Sequence, residues 1–344
     1  MRKHSKMIVI AMAMIVLAAV VWASGSKEQG AAAGSSSGAA AAKTYSWSLA
    51  SVLPASHPVN KSLEYFAQLV SDTTGGHVKI KVYPGGQLGD ESAYIEGIKL
   101  GTIDMAKVSS APLGQYDPKL QVLSLPYIFS SEKQQQDVLD GPIGQQLMAG
   151  LSAKGYKGLT FLDAGFRSFT VKAHPINTPA DLKGLKIRVM QSQPLIDVVN
   201  ALGAVAVPMG QSEVYTALQQ GVIDGWENNL PTVLAFNMQE VCKYFSYDRH
   251  ASIPDILIMN PKKFDELPAE YQKAVMDAAA KTSVFQVKIW NDYVGTAKAE
   301  LEKKGLIINE ISDLKAFQKY AQPIYDKFAP TVGKDLIEKI INTP

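Results

Sequence analysis

From Thr44 onward the chain alternates between two hydrophobic rhythms. "TYSWSLASVL" (44–53) places apolar residues at every second position, the period of a half-buried strand. "HPVNKSLEYFAQLVSDTTGG" predicts a helix that starts near Pro58 and stops at Gly75-Gly76. "HVKIKVYP" alternates again through Val78, Ile80 and Val82, "ESAYIEGIKLG" is a short helix closed by Gly101, and "TIDMAKVSS" is the next strand. A β-α-β-α-β order predicts an α/β sheet with right-handed crossovers.

The middle of the chain repeats this grammar. Strands flank Gly165 in "KGLTFLDAGFRSFTVKA", and "NTPADLKG" reads as a helix start with Thr178 as cap and Pro179 at the first helical position. "LKIRV" is a strand, "QPLIDVVNALG" a helix, "AVAVPM" a strand, and "SEVYTALQQG" a helix capped by Ser212 and stopped by Gly221. "GDESAYIEGIKLGTIDM" (89–105) and "MGQSEVYTALQQGVIDG" (209–225) then share one order: cap, short helix, Gly, apolar residue, Ile-Asp. An internal repeat would put Glu91 and Gln211 at equivalent helix N-termini, which in open α/β sheets face the ligand crevice. Capped helices followed by strands are also common by themselves. The last third opens with one long helical pattern from Pro268 to Gly305, on the order of 50 Å at 1.5 Å per residue and so suited to bridging two lobes. "LIINEI" supplies a further strand, and the remainder reads as two more helices.

The first residues change the compartment. A basic start (Arg2, Lys3, Lys6), an apolar run from Met7 to Val21 and a possible cut after Ala23 make 1–23 a secretory signal peptide. No Cys stands at the cut, so no lipid anchor is expected, and the Gly/Ala/Ser tract of 24–43 reads as a flexible linker. Losing the leader's three cations takes the formal charge from +2 to −1. With no basic stripe, nucleic acid is excluded as a partner. The single Cys242 excludes an internal disulfide and a Cys-rich metal site, and reads as a small buried hydrophobe. The body of about 300 residues suits two lobes.

No nucleophile elbow, zinc helix or phosphate loop occurs, and the five His residues lack metal-ligand spacing, so neither cofactor nor metal is expected. What remains is charged or amide residues beside strand ends and turns. Arg167 sits in "DAGFRSFTV", Arg188 alternates with Lys186 on the polar side of "KIRV", and Glu227, Asn228 and Asn229 follow a Gly turn. "YFSYDRHASIPD" adds Tyr247, Asp248 and His250. Taken singly, each has a structural explanation: a surface pair, a turn former, a loop residue. Two Arg on neighbouring strands with an Asn beside them make a site for an organic acid, because the guanidinium fork matches a carboxylate.

The combination "GFRSFT…TPADLKGLKIRV…PMGQSEVYTALQQGVIDGWENNLP", with "QLGDES" before it and the long helix after it, resembles the solute-binding proteins of TRAP transporters. These are tripartite ATP-independent periplasmic uptake systems, related to C4-dicarboxylate-binding proteins. The resemblance implies a two-lobed α/β periplasmic binding protein with a central cleft. Lobe I would take 44–164 plus about 253–290, and lobe II 165–252 plus about 291–344. It also implies that a bound organic acid is handed to membrane permease subunits by a monomer that is no enzyme. The family's carboxylate-binding Arg on the "KIRV"-type strand matches Arg188, the Arg of the preceding G-x-R turn matches Arg167, and the Asn of the "EN" turn matches Asn228. The Glu after "LGD" in sialic-acid-binding relatives matches Glu91. Those relatives carry Phe where this chain has Gln211, which argues for a smaller, more hydroxylated ligand. "EVCKYFSYDRHASIPDILI" is similar to the branch that binds sugar acids such as glucuronate or galacturonate. Glu91, Gln211 and His57 would then recognise hydroxyls from the rim. Two other readings remain open: a secreted carbohydrate-acid enzyme using Glu91 and Glu227 as acid and base, and a ligand sensor for a membrane receptor.

Overall fold

The computed structural model describes residues 43–344; the expected leader (1–23) and the linker up to residue 42 lie outside the described residues. Helix Pro58–Thr73 shows how the pattern becomes structure. Val59, Leu63, Phe66 and Val70 recur four, three and four apart and are all fully buried. His57 Nδ1 accepts the Val59 N–H at 3.3 Å as the cap, Pro58 fills the first turn, and Gly75 and Gly76 end the run at φ +59° and +78°.

Eleven strands form two sheets among the described residues. The first is ordered β2-β1-β3-β10-β4, from β1 (Tyr45–Ala50), β2 (Val78–Tyr83), β3 (Met105–Ser109), β4 (Lys157–Leu162) and β10 (Asp255–Met259). The second is ordered β11-β9-β5-β8-β6-β7, from β5 (Phe166–Val171), β6 (Lys186–Val189), β7 (Val205–Pro208), β8 (Gly225–Asn228), β9 (Tyr244–Ser252) and β11 (Ile307–Glu310).

The two sheets contain the same unit. β1 lies parallel to and between β2 and β3, and β6 lies parallel to and between β7 and β8. In each unit the third strand carries an antiparallel partner, β10 on β3 and β5 on β8. The echoed "Ile-Asp" does one job twice. Ile103 and Ile223 are buried, Asp104 Oδ2 accepts the Ser48 N–H of β1, and Asp224 Oδ2 accepts the Lys186 N–H of β6, both at 2.8 Å. Helices Glu91–Leu100 and Gln211–Gln219 occupy matching places, so Glu91 and Gln211 do start equivalent helices.

The chain passes between the sheets after β4, after β9 and again after β10. At the first passage Gly165 takes φ +61°, and a Cβ there would lie 2.9 Å from the Trp290 ring. Helix Ala269–Lys303 braces this passage: Gln286 accepts the Asp163 N–H (2.9 Å) and donates to the Asp163 carbonyl (2.8 Å). Val275, Ala278 and Trp290 of that helix belong to one hydrophobic core, Ala297 and Leu301 to a second. The long helix thus ties both cores, the role its length predicts.

Several local expectations change. Gly210, not Ser212, caps the Gln211 helix, because the helix begins two residues earlier than a Ser212 cap would set it and leaves Ser212 inside its first turn. "TPADL" forms a single 3-10 turn, Pro179–Leu182, closed by a Thr178/Asp181 capping box. Three helices, not two, follow β11: Lys315–Gln318, Ala321–Val332 and Lys334–Ile341. Cys242 is a free, fully buried thiol in the second core.

Candidate functional site

The carboxyl ends of the parallel strands in both units converge on one cleft, the place where open α/β sheets present ligand sites. It holds about 630 Å³ of empty space, open mouth included. All six residues expected to contact the ligand line it: His57 and Glu91 from the first-sheet side, Arg167, Arg188, Gln211 and Asn228 from the second.

The two arginines are not equivalent. They sit on β5 and β6, which are not neighbours as expected; β8, carrying Glu227 and Asn228, runs between them. Arg167 is already balanced. Its Nε and Nη2 fork onto the Glu227 carboxylate, with Nη2 at 3.0 Å from Oε1, and its Nη1 donates to Asn228 Oδ1 at 3.1 Å. Burial alone would raise the Glu227 pKa, but Arg167 and then His250 outweigh it and hold the carboxyl at about 2. His250 lies 3.4 Å from Glu227 and 2.9 Å from Asp248. It is a buried residue of β9 rather than the loop residue its neighbours suggested. Burial alone would lower its pKa, yet Asp248 and Glu227 lift it to about 9.

Arg188 has no such partner. It is 3% exposed, and no carboxylate among the described residues lies within 4 Å of it. Its Nε and Nη2 donate to the Met209 carbonyl (3.0 and 2.8 Å) and Nη1 reaches Gln211 Oε1 at 3.4 Å. Burial pulls its pKa down to about 10, as expected for a cation removed from water without full compensation. Beside it Gln211 Nε2 is buried without a hydrogen-bond partner, as is Trp290 Nε1 elsewhere in the lining. A cation and an amide donor therefore face a space that an acceptor-rich group completes.

The opposite wall has another chemistry. Lys107 of β3, 2% exposed, pairs with Glu91 at 2.9 Å and with Asp255 of β10 at 3.0 Å. Burial opposes its charge, but the two carboxylates prevail and raise its pKa. Glu91 Oε1 also accepts the Ser109 N–H (3.0 Å), and Ser109 Oγ donates to Asp255 (2.8 Å). His57 lies deep in the cleft rather than at the rim, at 2% exposure. Its Nδ1 is committed to the helix cap, so Nε2 carries the hydrogen and donates to Thr232 Oγ1 at 3.3 Å. Burial, then the Lys107 charge, lowers its pKa to about 3 and keeps the ring neutral.

Comparison with known proteins gives this cleft its context. The profile of bacterial extracellular solute-binding proteins, family 7, matches residues 49–331. The chain belongs to this family. A solute-binding protein of Chromohalobacter salexigens is 37% identical over 287 residues, 83% of this chain and 85% of the relative. The TRAP periplasmic solute-binding protein of Roseobacter denitrificans, solved with β-D-glucuronate, is 34% identical with a TM-score of 0.85, covering 87% of this chain and 100% of that one. Its counterpart from Xanthobacter autotrophicus, solved with β-D-galacturonate, is 36% identical with a TM-score of 0.84 over the same shares. The two-lobed α/β architecture and the TRAP resemblance both hold.

Among the cleft residues that the sequence pattern did not single out are Lys107, Asp255 and Trp290. Lys107 stood as one polar position in an apolar strand, Asp255 lies 148 positions from it, and Trp290 reads as one core position of a long helix. Only the Pro before Asp255, which ends one strand and starts another, hinted at a special place. Asn229 was singled out, and caps helix Leu230–Ala235 while holding the Ala164 carbonyl at 2.7 Å.

Proposed function

We propose that this family member captures a sugar acid, a hexuronate such as glucuronate or galacturonate, and delivers it to the membrane subunits of a TRAP permease. The observation that carries the reading is Arg188, a buried cation whose fork is capped on one side by a carbonyl and open to the cleft on the other. A ligand carboxylate there converts a costly isolated charge into a charge-assisted pair. Asn228 and the remaining N–H of Arg167 supply further donors, and Glu91, Gln211 and His57 frame the hydroxyls. The sugar acids bound by the two solved relatives support the same class. The chain acts as a monomeric carrier rather than an enzyme: Glu227 and Glu91, the one candidate acid/base pair, are held by Arg167 and Lys107. Export by the leader would place it outside the cytoplasm, and no helix among the described residues is long and apolar enough to cross a membrane. The lobes divide at 44–164 plus about 253–290 and 165–252 plus about 291–344.

Titration calorimetry with D-glucuronate and D-galacturonate tests this. Removing one partner of a buried charged pair costs about 2–5 kcal/mol, so Arg188→Ala should weaken binding by at least about thirtyfold. Unaltered affinity in that variant would sink the assignment.

A further inference from the structure

The charges lining the cleft are segregated. On the second-sheet side Arg167 cancels against Glu227, and His250 behind them sits between Glu227 and Asp248, which leaves Arg188 as the cation facing the cleft without a carboxylate. On the first-sheet side Asp90, Glu91 and Asp255 face the same space with Lys107 as their sole cation among the described lining residues. One end of the cleft is therefore electropositive and the other electronegative.

The electronegative wall is also built to hold a hydroxyl. An ammonium has three N–H groups; Glu91 and Asp255 take two from Lys107, and the third remains. Each of those carboxylates uses one oxygen within the network, Glu91 Oε1 and Asp255 Oδ1, and retains the other as an acceptor. A sugar hydroxyl both gives and takes a hydrogen bond, so it is satisfied between the ammonium and a carboxylate. A second ligand carboxylate could take the ammonium's N–H but offers no donor to the free carboxylate oxygens, and it would meet three carboxylates balanced by one cation.

We infer that the Lys107–Glu91–Asp255 network, with Asp90 at its edge, is the specificity determinant that makes this cleft take an acid with one carboxylate and a hydroxylated far end and reject the matching diacid. The inference deepens the sugar-acid reading and rests on it. Arg188 anchors; the opposite wall discriminates. Rejection arises from repulsion as much as from fit, the usual way a site separates near-isosteric ligands.

The experiment compares a hexuronate with the hexarate of the same configuration, in which C1 is a second carboxylate and the ring is open; the hexonate, an open chain with one carboxylate, controls for loss of the ring. Calorimetry at fixed ionic strength should show the wild-type chain binding the hexuronate at least about tenfold more tightly. Asp90→Asn keeps an equally good helix cap while removing one charge, and should narrow the ratio. Glu91→Gln should narrow it further, with thermal melts confirming that each variant is folded. A hexarate bound as tightly as the hexuronate by the wild type, or a ratio unmoved in both folded variants, overturns the inference and leaves the sugar-acid reading standing. Binding of neither sugar acid overturns both.

Discussion

Arg188 and Arg167 carry the same charge into the same cleft and should answer oppositely to deletion. Arg167 compensates Glu227, which is fully buried, so Arg167→Ala strands a carboxylate inside the protein. Breaking a buried pair from one side costs about 3–5 kcal/mol. Arg188→Ala instead removes a desolvated cation that no carboxylate compensates, and leaves only a carbonyl and an amide to find other partners. Ligand-free thermal melts should show a large drop for Arg167→Ala and a drop of at most about 1 kcal/mol, or a gain, for Arg188→Ala. Equal losses in the two variants would mean that Arg188 is a structural residue. Strand alternation put Arg188 and Lys186 on one polar face but had no means of separating them. The difference is tertiary: Lys186 opens the strand and is exposed, whereas the start of the Gln211 helix and the cleft close over Arg188.

Among the elements, the first parallel unit, its echo and the long helix were all legible, because each is specified locally by periodicity, caps and glycine stops. What could not be read was which strands meet. Antiparallel β10 arrives between β3 and β4 from far along the chain and brings Asp255 to Lys107; no local rhythm encodes a pairing 148 positions apart. β9 shows the same limit. Asp248 and His250 alternate as a strand should, but their burial against Glu227 of β8 and under the Phe169 ring of β5, with centroids 4.7 Å apart, is a property of the sheet. That arrangement has a pH signature. The His250 pKa is raised from 6.5 to about 9, so its imidazolium contributes stability fully below pH 6.5 and loses it as pH rises to 9. His57 is lowered to about 3, so its contribution is present above pH 6.5 and fades as pH falls, and Glu227, lowered from 4.5 to about 2, adds to the same acid limb. Melting temperature should therefore fall on both sides of pH 6.5. In His250→Gln the alkaline fall between 6.5 and 9 should vanish while the acid limb persists; a wild-type profile flat from 6.5 to 9 would contradict the charged His250.

For the whole molecule, the contacts that join the two sides of the cleft decide how long a captured ligand stays. Gln191, just beyond β6, receives two bonds from the first-sheet side: Ser92 Oγ donates to its Oε1 at 3.1 Å, and Gln115 Nε2 donates to its carbonyl at 2.5 Å. His57 and Thr232 make a third link, deeper in the cleft. None of these needs the ligand, so they favour the closed arrangement independently of the Arg188 anchor, and a ligand touching both walls adds its contacts to theirs. Gln191→Ala removes the Ser92 bond and spares the backbone bond to Gln115. A neutral hydrogen bond of this kind contributes about 0.5–1.5 kcal/mol, equivalent to about 2- to 12-fold in the closed population. Capture begins before the latch forms, whereas release requires breaking it. Stopped-flow measurements with a uronate should therefore show the dissociation rate of Gln191→Ala rising by about that factor with the association rate unchanged. A loss confined to the association rate would mean that Gln191 guides entry instead of holding the lobes together.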